Sequence, residues 1–248
     1  MFNKAIKKNV NQIELSGYIK SLISLMKPRV MSLVIFTCAV GLLTSNANIS
    51  ILNAMICIIF VALGSGAAGC LNMWYESDLD ALMTRTCLRP IPTGKINKNQ
   101  ALVFGILLTV ISVSALYYFS NFLSAFLLFF TIAFYLFVYT IWLKRKTPQN
   151  IVIGGVAGSL PPLIGWSIAT NSISIASFSL FLIIFFWTPS HFWALSLYKA
   201  DDYKKAKIPM MPITDGTEKT KLYILIYSLL MLPVVILPYL VNFSGLTY

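Results

Sequence analysis

The stretch LNMWYESDLDALMTRTCLRPIPTGK, Leu71 to Lys95, decides how the rest of the chain is read. It follows directly on an apolar run, Ile51 to Cys70, and about 20 such residues are enough to cross a bilayer. Three of the chain's eight carboxylates, Glu76, Asp78 and Asp80, stand at that membrane boundary. Grouped acids there are costly unless a cation is bound among them. Asn72, Glu76 and Asp80 fall at i, i+4 and i+8, so a helix continuing past Cys70 stacks them on one face as a ladder of hard oxygen ligands. Asp78 points elsewhere on that helix. Arg85, Arg89 and Lys95 come next, with Pro90, Pro92 and Gly94 breaking the helix between them. An acid ladder beside a basic loop describes a divalent cation bridging to a polyphosphate, because Mg2+ takes one or two carboxylates and shares its other positions with water and phosphate oxygens.

Composition places the whole chain in a membrane. Of its 248 residues 58% are hydrophobic and 11% charged, and the mean hydropathy is +0.79, whereas soluble proteins carry about 25% charged residues. Seven spans are predicted: Val30 to Thr44, Ile51 to Leu71, Ala101 to Phe119, Phe122 to Leu143, Ile151 to Ala169, Ile175 to Leu197 and Leu222 to Val241. The first is short and needs Met26 or its neighbours to complete it. The fold class is therefore all-α, a polytopic helical bundle (residues 30–248) preceded by an arm (residues 1–29) that suits an interfacial helix.

Charge placement supports that count, since positive loops stay on the cytoplasmic side and each crossing switches sides. Every Lys, Arg, Asp and Glu lies in the arm, in Glu76 to Lys98, in Lys144 to Lys146 or in Lys199 to Lys221; the alternate loops carry none. The N-terminus and all three charged loops are thus expected in the cytoplasm. The net charge of +11 on that face also suits anionic headgroups.

Several features have a plain structural reading. Cys38, Cys57, Cys70 and Cys87 lack metal-ligand spacing and read as small apolar packers. Lys27-Pro28-Arg29 reads first as a positive-inside anchor, and Lys144-Arg145-Lys146 as a topology signal. Gly64-Ser65-Gly66-Ala67-Ala68-Gly69 lets helices pack backbone to backbone, and Gly154, Gly155, Gly158, Pro161 and Pro162 signal a kinked, tightly packed fifth span. His191, the chain's single histidine, lies in an apolar segment, where an ionisable group is a functional candidate. Asp201 and Asp202, mixed with Lys204, Lys205 and Lys207, offer a second acidic site on the same face.

Taken in order, these segments resemble the protohaem IX farnesyltransferase (haem O synthase) branch of the UbiA-type intramembrane prenyltransferases. The match is carried by NMWYESDLDALMTRT and RPIPTG within residues 72–94, LMKPRV at 25–30, KRKTPQNIVIGG at 144–155, PPLIGW at 161–166 and WTPSHFWALSLYKADDYKKAKIPMMP at 187–212. The resemblance implies a bundle of nine spans, of which this chain carries seven. It implies transfer of farnesyl from farnesyl diphosphate to a vinyl group of haem b, with water added, to give haem O for terminal oxidases. Mg2+ is the implied cofactor and haem b a substrate.

Carried over by residue, Asn72, Glu76 and Asp80 occupy the family's Asn-x-x-x-Asp-x-x-x-Asp metal motif, with Glu76 where Asp is usual. The second Asp-x-x-x-Asp motif appears as Tyr198-x-x-x-Asp202, which adds Tyr198 and Asp202 to the catalytic set and Asp202 to the metal ligands, with Asp201 placed to compensate. Arg85, Arg89, Lys95, Lys144 and Arg145 match the diphosphate-binding positions, and His191 is assigned to the haem iron or a propionate. Membrane lipid is an expected partner and nucleic acid is not; haem A synthase or an oxidase assembly contact would receive the product. The short arm lacks the Arg-rich, Ser-rich character of a transit peptide, so a bacterial inner membrane is expected. Three rivals stay open on sequence alone: a UbiA-type enzyme that prenylates a quinone precursor or lipid, a transporter, and a non-catalytic assembly fragment.

Overall fold

The apolar runs fold as helices because lipid offers no other partner for backbone N–H and C=O groups. The computed structural model describes residues 15–245, and every regular element among them is helical. The first half of the chain forms α1 (Leu15–Leu25), then α2 (Pro28–Thr44), α3 (Ile51–Tyr75), α4 (Ser77–Leu82), α5 (Lys98–Phe119) and α6 (Phe122–Ala133), which runs on as a π-helix over Phe134–Leu143. The second half forms α7 (Asn150–Ser159), α8 (Pro161–Thr170), α9 (Ile175–Tyr198), α10 (Ala200–Lys205), α11 (Met211–Thr214) and α12 (Gly216–Leu240).

Six stretches are each long and apolar enough to span a membrane: α3, α5, α6 with its π continuation, α7 with α8, α9 and α12. A bent pair, α1 with α2 at 51°, passes the same test together and counts as a seventh when taken as one broken span. Six of the seven spans read from the sequence are thus found as single stretches, and the first corresponds to the bent pair, not completed straight through Met26. The chain breaks at Lys27, which takes a left-handed backbone (φ 54°), and Pro28 opens α2, where a missing N–H costs nothing. The arm from Met1 to Glu14 lies outside the described residues. Of the rest of the arm, α1 exposes Leu15, Tyr18, Ile19 and Ile23 while burying Ser21 and Leu25.

Side-chain caps set where the spans begin. Ser50 accepts from the Asn53 N–H at the start of α3, Asn121 from the Ser124 N–H at the start of α6, and Asn97 and Ser174 close capping boxes on α5 and α9. The interior spans are α3, 61% buried over its apolar window, and the α7–α8 pair, 72% buried; α5 and α12, at 17% and 11%, turn most of their surface outward. Around α3 pack α2, α5 and α6, while α7 and α12 pack on α9, and α2 crosses α8. That last crossing is close because Gly41 meets the Pro162 backbone and Gly165 meets the Cys38 carbonyl; a Cβ at either would overlap main chain.

The connections sort to two ends. Ser120 and Asn121 donate to the Ile168 and Ser167 carbonyls, which joins uncharged loops at one end. The charged segments meet at the other, where the candidate site lies.

Because backbone cannot move aside as a side chain can, Gly41→Ala is expected to cost about 1–3 kcal/mol. Gly158→Ala, where an added Cβ meets nothing, should stay within about 0.5 kcal/mol of the parent. Unfolding midpoints of the detergent-solubilised protein check both.

Candidate functional site

The ladder survives a break in its helix. α3 ends at Tyr75 and α4 starts at Ser77, with Glu76 between them at φ −91° and ψ 12°. The Glu76 N–H donates to the Asn72 carbonyl (2.9 Å) and the Asp80 N–H to the Glu76 carbonyl (2.8 Å), so the four-residue phase runs through the join. Asn72, Glu76 and Asp80 are all buried, none more than 2% exposed. Asp78 leaves the ladder and meets Arg145 in a bidentate pair at 2.9 and 3.0 Å, while the same guanidinium lies over the Tyr75 ring. Partial burial works to raise the Asp78 pKa, but the Arg145 hydrogen bonds and charge, together with hydrogen bonds from the Leu79 and Asp78 N–H groups, outweigh it and hold the carboxyl below its usual range.

Each rung carries a base from a different part of the fold. Lys144 Nζ donates to Glu76 Oε2 at 2.6 Å. Arg89 Nη1 lies 2.8 Å from both Asp80 oxygens. Lys27 Nζ donates to Asn72 Oδ1 at 2.6 Å, and the Asn72 amide donates to Thr140 Oγ1 at 3.0 Å. Such pairing is what allows carboxylates to sit out of water.

Local sequence explains how those bases arrive. At Gly66 and Gly69 of α3 an added Cβ would crowd the Met26 side chain and carbonyl and the Lys27 stem, so the bare backbone there admits the α1–α2 break and seats Lys27 on the ladder. The π-helix shifts the register of the fourth span: Thr140 Oγ1 reaches back five residues to the Tyr135 carbonyl, and the Lys144 N–H to that of Tyr139. Thr140 and Lys144 both meet α3 as a result; π-helical segments of this kind are frequent at functional sites. Tyr135 and Tyr139 stack at 5.2 Å, with Lys144 Nζ 5.7 Å from the Tyr139 ring. Thr86 Oγ1 donates to the Asp80 carbonyl, folding the loop back so that Arg89 reaches its carboxylate.

One polar atom in the cluster is unsatisfied. Glu76 Oε1 is buried with no hydrogen-bond partner, although buried acceptors are normally paired. Asn72, Glu76 and Asp80 thus present an amide and two carboxylates, hard oxygens with coordination capacity to spare, and this donor set fits Mg2+. Among the described residues no three His, Cys, Asp or Glu side chains group as metal ligands by themselves. A metal here would complete its shell with the Asn72 amide, water and phosphate.

The remaining sequence candidates divide. Arg85 Nη2 donates to the Tyr203 hydroxyl at 2.8 Å and its guanidinium lies over that ring, while Leu79 and Met83 pack with Tyr203, Ile208, Met210 and Met211. The Lys199–Lys207 turn therefore closes against α4. Within it Asp202 accepts from the Thr84 N–H at 3.4 Å, which ties it to the loop and not to the ladder. Tyr198 is 88% exposed, and Asp201 and Lys95 are exposed too; no hydrogen bond joins these three to the ladder. His191 is exposed on α9, stacked on Trp187 at 4.3 Å with Phe192 edge-on. Residues that the sequence reading did not assign to the site enter it: Lys27 and Thr140 on Asn72, Tyr203 on Arg85, and Tyr135 and Tyr139 beside Lys144. The signal for Lys27 was its position opposite the Gly-rich end of α3; for Tyr203, its place beside Asp202.

Comparison with known proteins agrees with this architecture. Residues 33–248 match the profile of the UbiA prenyltransferase family. The "Protoheme IX farnesyltransferase" of Pelagibacter ubique is 69% identical, the match covering 100% of this chain and 82% of that protein. The protein of the same name from Ehrlichia ruminantium is 56% identical over 86% of this chain and 72% of its own length. Among solved structures, a UbiA homolog from Archaeoglobus fulgidus bound to DMAPP and Mg2+ superposes with a TM-score of 0.74 at 18% identity, covering 86% of this chain and 76% of that one. A digeranylgeranylglyceryl phosphate synthase superposes with a TM-score of 0.75 at 20% identity, covering 92% of this chain and 80% of that one. At those identities the likeness is one of fold.

The two kinds of ion pair should behave differently. Arg145→Met breaks a solvated pair and is expected to cost no more than about 1 kcal/mol. Lys144→Met strands Glu76 in the interior and is expected to cost about 3–5 kcal/mol, read as unfolding midpoints in detergent without divalent ions.

Proposed function

This chain belongs to the UbiA prenyltransferase family, and from that premise we propose that it transfers a farnesyl group from farnesyl diphosphate to a vinyl group of haem b, with water added, to give haem O. The observation that carries the reading is the buried ladder Asn72, Glu76, Asp80, ringed by Lys27, Lys144 and Arg89 and holding one unsatisfied oxygen. The names borne by the relatives support the substrate pair, and the Archaeoglobus structure bound to DMAPP and Mg2+ supports a metal in this fold.

Each residue's task follows from its place. Asn72, Glu76 and Asp80 would hold Mg2+, which offsets the negative charge that grows on the leaving diphosphate. Lys144, Arg89 and Lys27 donate to the phosphate oxygens, and Arg85, held by Tyr203, carries a further positive charge on the turn that closes against α4. Arg145, committed to Asp78 and Tyr75, orients the 144–146 loop. Tyr135 and Tyr139 set two stacked rings beside Lys144, where an allylic cation released from the diphosphate is sheltered from water and faces aromatic π-density. Haem meets the planar Trp187–His191 pair on α9, with His191 at the iron or a propionate.

The sorting of charged loops to one end favours N-terminus and site on the cytoplasmic side of a bacterial inner membrane. Haem O leaving there would pass to haem A synthase or an oxidase assembly factor. A transporter would place its ion site near the bilayer midplane, whereas these carboxylates stand at the end of α3.

Incubating the membrane-embedded protein with haem b, farnesyl diphosphate and Mg2+ and analysing the haems by mass spectrometry should show haem O. Asp80→Ala should abolish the product with insertion unchanged; a normal yield from that variant defeats the metal assignment. His191→Ala should weaken haem binding more than farnesyl diphosphate binding, and unchanged haem affinity on titration returns His191 to a structural role.

A further inference from the structure

The oxygens that would hold a metal already hold the protein's own cations. Lys144 sits on Glu76, Arg89 spans Asp80 and Lys27 caps Asn72, all at 2.6–2.8 Å. Lys144 and Arg89 answer the two carboxylates, and Lys27 adds a third base on the neutral Asn72 amide. A divalent ion arriving alone can use the free Glu76 Oε1, but to take Asp80 as well it must loosen Arg89, which spans both oxygens, and it sets new positive charge beside partly buried Lys144 and Arg89 with no anion to receive them. A diphosphate arriving alone meets bases already committed and two buried carboxylates of like sign. Arriving together, each removes the other's obstacle. The metal takes the carboxylate oxygens, Glu76 Oε1 among them, and the freed bases turn to the phosphate oxygens.

We propose that Lys144, Arg89 and Lys27 are exchangeable internal counter-ions, and that their transfer from ladder to phosphate makes divalent cation and diphosphate bind with strong mutual dependence. The reach required is small. Lys144 leaves from the end of the π-helix and Arg89 from a loop; both have flexible stems, and a partner change needs no movement of α3. By linkage the dependence is reciprocal: whatever factor diphosphate adds to metal affinity, metal adds to diphosphate affinity. The inference deepens the reading of the ladder as a metal–diphosphate site and rests on it.

Calorimetric titration of the full chain in detergent tests it, with Mg2+ alone, inorganic pyrophosphate alone, and each in the presence of the other. The coupling is what remains once pyrophosphate's own affinity for Mg2+ in solution has been taken out. In the parent protein it should be at least about tenfold, within the usual range for coupled sites. Lys144→Met should bind Mg2+ alone about tenfold more tightly, a factor equal to about 1.4 kcal/mol, should gain thermal stability from Mg2+ alone, and should lose most of the coupling. Lys221→Met removes an exposed charge, paired only with Glu218, from the charged segments at the same end but leaves the ladder bases in place, and should keep it.

A parent coupling near one, or equal effects of Lys144→Met and Lys221→Met, overturns the exchange. Should Lys144→Met not fold even with Mg2+, Lys27→Met, whose partner is the neutral Asn72 amide, must show the reduced coupling, and parent-like coupling there counts against the proposal. Asp80→Asn separates the two levels of the argument. Loss of joint binding in that variant with a parent coupling near one ends the exchange and leaves the site standing, whereas parent-like joint binding in Asp80→Asn removes the site itself.

Discussion

Two carboxylates buried at the end of a membrane-spanning helix must be neutralised, and the rest of the structure can be understood as the means of doing so. Taking a carboxylate out of water costs several kcal/mol even after relaxation. No single helix can supply the answering charges, because residues near Glu76 and Asp80 on their own helix lie on other faces. The cations come instead from three distant places in the chain, residues 27, 89 and 144. The bundle's connectivity is what brings them to one point.

Each of those deliveries depends on a local departure from regular helix. The α1–α2 break, permitted by the small residues of α3, turns Lys27 inward. The π-helical end of the fourth span puts Thr140 and Lys144 on α3 together. The Pro-interrupted loop after α4 folds back through Thr86 and brings Arg89 to Asp80. Regular spans build the wall, and the irregular segments build the site. That division suits an enzyme that must present polar groups at one aqueous end and keep a reactive hydrocarbon dry at the other.

Much of this was legible in the amino-acid sequence, because the rules involved are local. Apolar run length gave seven spans, the four-residue spacing put Asn72, Glu76 and Asp80 on one face, and the Gly-Pro content of the fifth span announced the break between α7 and α8. What could not be read depended on three-dimensional register. Lys27 obeys the positive-inside rule and joins the ladder as well, and the first role hides the second. The residues of the π-helix contain no Gly or Pro to betray the extra residue in its turn. Motif spacing drew attention to Tyr198, but α9 ends at Tyr198 itself and α10 begins a new helical phase after Lys199, so the buried phenol is Tyr203. Asp202's contact with the Thr84 N–H likewise depends on how the 199–207 turn folds and is not written in its spacing.

The central claim is that these ladder oxygens hold a divalent ion in direct contact with a diphosphate. Mn2+, another hard cation suited to oxygen ligands, can replace Mg2+ and reports its neighbours by electron paramagnetic resonance. With farnesyl diphosphate added, the protein-bound Mn2+ should show hyperfine coupling to phosphorus, and Asp80→Asn should abolish that signal. Bound Mn2+ without phosphorus coupling, or the same coupling in Asp80→Asn, would contradict the account.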